Sequence, residues 1–151
     1  MPKRLKIGNA ILCEHVVPGA NSKHSIINMY SGDVIIWSAL PTTLMLGLYV
    51  EFLDQLPGSL DVTMRLDGQR FANFKAEFPA VSGTPYVLAL PLFQLGIDRD
   101  LTFDVIAKAD GFAPTTVISK RITQGQNAGA PPISTTGTWQ ASQSSPGAPA
   151  S

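Results

Sequence analysis

The sequence predicts an all-β protein, a two-layer β-sandwich of Greek-key and immunoglobulin-like type with a disordered C-terminal tail. Three observations support this prediction. Apolar and polar residues alternate in several segments, and a period of two is typical of half-buried strands. Turn-forming residues recur about every 8–12 residues, as in sandwiches of about seven to nine short strands. No segment keeps the helical period of about 3.6 residues over three turns.

Four strands are predicted in the first third of the chain, over residues 5–14, 25–30, 34–37 and 43–53. The first is apolar on both faces, which indicates burial on both sides. Ser31-Gly32-Asp33 separates the second from the third, and Gly32 is either a bulge within one long bent strand or the turn of a hairpin. The fourth is rich in β-branched and aromatic residues around Gly47, which predicts a central strand.

A hairpin is predicted over residues 59–78. Apolar residues occupy alternate positions on both sides of Asp67-Gly68, at Leu60, Val62, Met64 and Leu66 and then at Ala72, Phe74, Ala76 and Phe78. A two-residue turn at Asp67-Gly68 would place Phe71 on the apolar face together with two polar residues. That arrangement conflicts with the alternation.

A three-residue loop over residues 66–68 resolves this conflict, because it pairs Arg65 with Gln69. Val62 then faces Ala72, and Leu60 faces Phe74. We therefore predict the three-residue loop, with Val62, Met64, Ala72 and Phe74 in the core and Gly68 at a positive φ.

Three more strands are predicted, over residues 86–90, 101–109 and 115–122. Pro91 lacks an amide hydrogen, so it either ends the first of these strands or lies on a sheet edge. Residues 92–98 are expected to form a crossover or a short helical turn. The second strand has the clearest alternation of the three, and Asp110-Gly111 forms the turn before the last strand.

The composition changes at residue 124, so we predict a domain over residues 1–123 and a tail over residues 124–151. The tail contains no charged residue, and its only large apolar side chains are Ile133 and Trp139. Such a segment buries too little apolar surface to offset an ordering cost of roughly 1–2 kcal/mol per residue. Trp139 is expected to be an isolated aromatic residue, with a docking anchor as the alternative.

Charge and cysteine content exclude several classes of protein. The 151 residues include 11 basic and 11 acidic side chains, so nucleic acid and anionic membranes are not expected partners. A single cysteine excludes an internal disulfide framework and fits a reducing compartment. Gly8 and Asn9 interrupt the apolar run after the basic N-terminus, which does not fit a secretory signal. A cytoplasmic protein is predicted.

The first half of the chain resembles a family of short, functionally uncharacterised bacterial and phage β-sandwich proteins. Three segments are similar to that family, Ile11-Leu12-Cys13-Glu14, Asn28-Met29-Tyr30-Ser31-Gly32-Asp33 and Leu48-Tyr49-Val50-Glu51-Phe52. The resemblance covers about residues 5–122 and leaves out the tail. It implies a bacterial or phage source and a compact β fold, and it implies no activity and no catalytic residues.

Cys13 and His15 are the strongest candidates for chemistry. On a strand they would share a face with their backbones about 6–7 Å apart, close enough for a nucleophile and its base. However, Cys13 ends an apolar run, where a free cysteine usually packs as a small apolar residue. His15 and His24 are expected at the surface, and together with Cys13 they are too few for a metal site.

Carboxylates and N-terminal basic residues give weaker signals. Asp98 and Asp100 flank Arg99 in a predicted loop, a pattern that occurs in calcium sites but more often in solvated turns. Asp33 and Asp54 would join them only if their loops lie at the same end. Three basic side chains near the N-terminus, Lys3, Arg4 and Lys6, are expected to be solvated rather than to bind phosphate.

The function that we predict is a non-catalytic protein–protein interaction module or a structural module of an assembly. Its expected partner is another protein or a second copy of the chain, without a cofactor or a metal. The alternative is a small cysteine-dependent hydrolase or ligand-binding enzyme that uses Cys13 and His15.

Overall fold

The computed structural model describes residues 2–21, 23–56, 58–78 and 85–125. Throughout these ranges the chain forms strands and contains no helix. The strands are β1 (Lys3–Arg4), β2 (Ile7–Pro18), β3 (His24–Met29), β4 (Val34–Ile36), β5 (Thr42–Phe52), β6 (Ser59–Leu66), β7 (Gln69–Glu77), β8 (Tyr86–Ile97), β9 (Leu101–Lys108), β10 (Phe112–Ala113) and β11 (Thr115–Gln124). The all-β prediction is confirmed.

Two larger sheets pack together. One has five strands in the order β4-β11-β9-β6-β7, and the other has four in the order β3-β2-β5-β8. The pairs within them are antiparallel except β4–β11, which is parallel. The short strands β1 and β10 form a separate parallel pair.

The main core lies between the two large sheets. Leu12, Leu48 and Phe52 from the four-stranded sheet are fully buried, as are Val62 and Phe103 from the five-stranded sheet. Burying each such side chain contributes about 1.5–3 kcal/mol. The central position predicted for the fourth strand is confirmed, because β5 pairs with β2 on one side and with β8 on the other.

The β6–β7 hairpin has the predicted buried face but a different turn. Leu66 pairs with Gln69, so the turn is the two-residue one, with Asp67 at φ 50° and Gly68 at φ 78°. Two positive φ angles are the geometry of a type I′ turn. Two hydrogen bonds hold Asp67 there. Its amide donates to the carbonyl of Thr102, and its carboxylate accepts a hydrogen bond from the Thr102 amide.

A bulge at Phe71 restores the alternation that this turn would otherwise break. The register shifts between Met64 and Arg65, so Met64 pairs with Ala72 and Val62 with Phe74. The predicted three-residue loop is therefore wrong, as are its pairs of Arg65 with Gln69, Val62 with Ala72 and Leu60 with Phe74. The predicted buried face is correct for Val62 and Met64, which are buried, and for Ala72 and Phe74, which are partly buried against the core. The placement of Phe71 on the opposite face is wrong. Phe71 is 41% exposed, but its ring centre lies 6.2 Å from that of the buried Phe103, because the bulge turns it toward the core side.

Two connections differ from the sequence prediction. β8 continues through Pro91 to Ile97, so residues 92–98 form neither a crossover nor a helical turn. Pro91 is tolerated because β8 is the edge strand of its sheet, which was one of the two predicted alternatives. Around Gly32 the chain passes from β3 in one sheet to β4 in the other, so Gly32 is neither a bulge in one strand nor a hairpin turn.

The described chain ends just after β11. The Gly125 amide donates to the carbonyl of Ile36, and an ideal Cβ on Gly125 would lie 2.6 Å from the ring of Trp37. The rest of the predicted tail, with Ile133 and Trp139, lies outside the described residues. Of the residues that are described, none belongs to a helix able to cross a membrane.

Candidate functional site

The end of β2 and all of β3 fold back across the four-stranded sheet. β2 pairs with β5 from Ile7 to Cys13 and then with β3 as far as Pro18. Tyr49 pairs with Ile11, seven residues before Pro18, so a straight strand would carry Pro18 about 23 Å away from it. Instead the ring of His24, the partner of Pro18, lies 5.3 Å from the ring of Tyr49. We call residues 14–21 and 23–29 the flap.

The flap crosses β5 at Gly47. An ideal Cβ on Gly47 would lie 2.9 Å from the Val16 amide nitrogen, 3.0 Å from the Pro91 carbonyl oxygen and 3.1 Å from the Cys13 sulfur. Only glycine permits an approach this close. Cys13 and Val16 are completely buried yet lie outside the main core, so they form a small second packing layer beneath the flap.

Polar contacts fix the base of the flap. Asn28 adopts a φ of 51°, a left-handed conformation that asparagine tolerates better than most residues. Its side-chain nitrogen donates to a carboxylate oxygen of Glu14 at 2.9 Å. The Tyr30 amide donates to the carbonyl of Leu12 at 2.8 Å. The flap is thus held to β2 on both sides of Met29.

A cleft of about 470 Å³ opens beside the base of the flap. Its lining residues are Glu14, His15, Ile27, Tyr30, Thr43, Leu44 and Met45. Ile27 and Met45 are 42% and 40% exposed, and the neighbouring Met29 is 56% exposed. Burial raises the pKa of the Tyr30 hydroxyl, and the charge of the Glu14 carboxylate raises it further, so this phenol stays protonated near neutral pH.

The geometry at Cys13 and His15 does not favour nucleophilic chemistry. Cys13 is a free, completely buried cysteine, whereas His15 is exposed. Burial raises the pKa of the Cys13 thiol, and so does the nearby Glu14 carboxylate, although backbone hydrogen bonds from His15 and Ile27 partly oppose them. A nucleophilic cysteine needs the opposite, an accessible thiol with a lowered pKa.

Five of the other predicted candidates, Asp54, Asp98, Asp100, Lys3 and Lys6, are engaged in structural contacts. Asp98 accepts a hydrogen bond from Arg99, and Asp100 accepts the amide of Gln124. Asp54 accepts hydrogen bonds from the Lys3 ammonium and the Lys6 amide. Lys3 also lies 5.6 Å from the ring centre of Phe112. Within the described ranges, no three His, Cys, Asp or Glu side chains come together as a metal site would require.

A second cleft of about 490 Å³ lies at the end of the protein where β8 meets β9. Its charged lining residues are Asp98 and Arg99. Arg99 forms ion pairs with Asp98 at 2.9 Å and with Asp67 at 3.4 Å. Its charge is therefore already balanced by two carboxylates, which makes this cleft a weaker candidate for binding an anion.

No protein-family model matches the chain, and the comparison with curated proteins finds no match either. Because the Arg99 charge at the second cleft is already balanced, the flap and the cleft beside it are the best-defined candidate site. Sequence reasoning placed Ile27, Met29 and Met45 on strands but did not single them out. One signal was available, since no charged residue occurs between Lys23 and Asp33.

Proposed function

We propose that the chain is a non-catalytic protein-binding or assembly module, and that it binds its partner through the flap and the adjoining cleft. The observation that carries this proposal is the exposure of Ile27 and Met45 in the wall of one cleft, and of Met29 next to the lining residue Tyr30. Single exposed apolar residues are common, but a group of them beside a cavity is typical of interaction sites. Methionine is also enriched at interfaces, because its flexible thioether adapts to different partners.

The edge strand β3 supports the same proposal. In the described part of the chain β3 pairs only with β2, so its other edge has unpaired backbone groups. It contains no charged residue and no proline, the usual protection of an edge. The other long edges have such protection, since β7 contains Lys75 and β8 contains Pro91. An extended segment of a partner could pair with His24–Ile27, before the left-handed Asn28.

We also propose the Greek-key, immunoglobulin-like class for the fold. The support is the order of connections, since β5 and β8 pair in one sheet although the β6–β7 hairpin between them belongs to the other. β9 then returns to the five-stranded sheet and pairs with β6 on one side and with β11 on the other. The parallel pairing of β4 with β11 suits a chain that changes sheets early. Exposed loops and edges on such a scaffold are common binding surfaces.

A bacterial or phage origin and a cytoplasmic location belong to the same proposal. The support for the origin is the resemblance of the Cys13-Glu14 and Tyr30–Asp33 segments to the bacterial and phage family. The support for the location is the unpaired thiol of Cys13. The alternative, a hydrolase that uses Cys13 and His15, gains no support from a thiol that is buried and has a raised pKa.

Photo-cross-linking tests the proposal. A photoreactive amino acid is introduced at Met29, which is 56% exposed, or at the control position Leu53, which is 57% exposed and belongs neither to the flap nor to the lining of the cleft. In extracts of the native host, the Met29 position should give a discrete adduct that Ile27→Asp abolishes. A product of two chains would identify self-assembly. The same adducts at both positions, or none at either, would contradict the proposal.

A further inference from the structure

We infer that the partner of the flap is a second copy of the chain, whose β3 pairs with β3 of the first in antiparallel orientation about a two-fold axis. This inference rests on the proposed function, because it names the partner that binds at the flap. In the described part of the chain β3 pairs only with β2, so it has one free edge. Two copies therefore cover both free edges, and the assembly closes as a dimer.

The first support is the absence of charge along β3. When a strand pairs with itself, its few residues face one another, and like charges directly opposite are destabilising. Pairing with a different protein imposes no such constraint. The strand from His24 to Met29 contains no lysine, arginine or acidic side chain. β7, the long edge strand of the other large sheet, contains Arg70, Lys75 and Glu77.

The second support is a register that fits the strand. Pairing has to end before Asn28, whose φ of 51° departs from strand geometry. The two-fold axis keeps the same face of both copies outward, so directly opposite residues must lie on the same face of their strands. The longest register of residues 23–27 that meets both conditions pairs Ser25 with Ser25 of the second copy. It also pairs Lys23 with the second copy's Ile27.

The third support is charge complementarity at the ends of the paired strands. Lys23 directly precedes β3, and at the other end the side chain of Asn28 holds the Glu14 carboxylate at 2.9 Å. Glu14 and Ile27 line the same cleft, so a Lys23 that faces Ile27 of the second copy lies near that copy's Glu14. Both residues are exposed, and neither belongs to an ion pair among the described residues. The two-fold axis makes this contact twice in each dimer.

Charge reversal tests the inference on the full, purified chain. Sedimentation velocity should show a monomer–dimer equilibrium with a micromolar Kd, as is typical of a small interface. Lys23→Glu sets two glutamates against each other at each contact, and Glu14→Lys sets two lysines. Each variant should raise the Kd about tenfold at low salt. The matched control Lys75→Glu, in the edge strand β7, should leave the Kd unchanged.

Mixing the two variants separates pairing between copies from an effect within one copy. In a dimer of one Lys23→Glu chain and one Glu14→Lys chain, both contacts join a glutamate to a lysine. An equimolar mixture should therefore dimerise about as tightly as the unsubstituted protein, although each variant alone does not. Damage within one copy would not be repaired by mixing.

A disulfide between copies tests the register. Directly opposite residues of antiparallel strands have Cα atoms about 4.5–5.5 Å apart, which suits a disulfide. Ser25→Cys should thus give a covalent dimer on mild oxidation, whereas the native Cys13 is buried. Ile27→Cys is the matched control, because the two Ile27 positions lie about 13 Å apart in this register, too far for a disulfide.

Three outcomes would overturn the inference: a purified chain that stays monomeric up to about 1 mM, a mixture of the charge variants that dimerises no better than each alone, and a covalent dimer from Ile27→Cys but not from Ser25→Cys. The cross-linking experiment separates this failure from that of the proposed function. If the purified chain is monomeric while Met29 still gives its specific adduct with another protein, only the inference of self-pairing is wrong.

Discussion

Gly47→Ala should destabilise the protein, because the added methyl would enter the crossing of β2, β5 and β8. The three nearest atoms, at 2.9, 3.0 and 3.1 Å, are an amide nitrogen, a carbonyl oxygen and the Cys13 sulfur. Two of them are backbone atoms that move only if the flap or β8 shifts. Overpacking of this kind costs about 1–3 kcal/mol, and we expect the upper half of that range. With a urea dependence of about 2 kcal/mol per molar, the unfolding midpoint should fall by about 1 M.

Gly96→Ala is the matched control for this experiment. Gly96 also lies on a strand of the four-stranded sheet, but an added Cβ would meet no atom within 4 Å. Its free energy of unfolding should change by no more than about 0.5 kcal/mol. Urea unfolding followed by far-ultraviolet circular dichroism measures both variants. Equal stability of Gly47→Ala and Gly96→Ala would show that the flap does not cross β5 closely at Gly47.

Three further predictions concern the Asp54 carboxylate, the β6–β7 hairpin and the Cys13 thiol. Burial raises the pKa of Asp54, but the hydrogen bonds from Lys3 and from the Lys6 amide outweigh it, so the folded pKa lies below the ordinary value. Asp54→Asn should thus lower the free energy of unfolding by about 1–2 kcal/mol at neutral pH. Urea titrations should show that this difference shrinks as the pH falls below about 3.9, because the Asp54 carboxylate of the unsubstituted protein then becomes protonated. Phe74→Ala should cost about 2–3 kcal/mol, because its ring is partly buried against the core. Phe71→Ala should cost less, about 1–2 kcal/mol, because Phe71 is 41% exposed and keeps one ring contact, with Phe103. A larger loss for Phe71→Ala in the same titration would contradict the bulge. The Cys13 thiol should react with a thiol probe only when the protein unfolds, and fast labelling of the native protein would revive the hydrolase hypothesis.

Most strands could be predicted from the sequence because their alternation records which face is buried. In β9 each second residue from Leu101 to Ala107 is buried, as its pattern indicates. The same signal gave the correct face in the β6–β7 hairpin. It did not reveal the turn, because a three-residue loop and a two-residue turn followed by a bulge restore the same parity.

The flap could not be predicted, because its cause is a contact between distant parts of the chain. The sequence of β2 contains no proline or glycine at the bend after Cys13, and Gly47, which permits the crossing, lies 34 residues later. Pro91 gave a related difficulty, since a proline that ends a strand and a proline on a continuing edge strand look alike in sequence. The candidate site depends on the crossing of the flap at Gly47, and for that reason it emerged only from the structure.

The proposal that the flap and its cleft form the binding surface can be tested by the methyl signals of the methionines. Met29 and Met45 lie at this surface, whereas Met64 is buried in the main core and serves as the internal control. Spectra of methyl-labelled protein are recorded before and after addition of the partner identified by cross-linking. We expect the Met29 and Met45 signals to shift or broaden while that of Met64 stays in place. Binding that leaves both surface signals unchanged would contradict it, because the partner would then occupy another face of the protein.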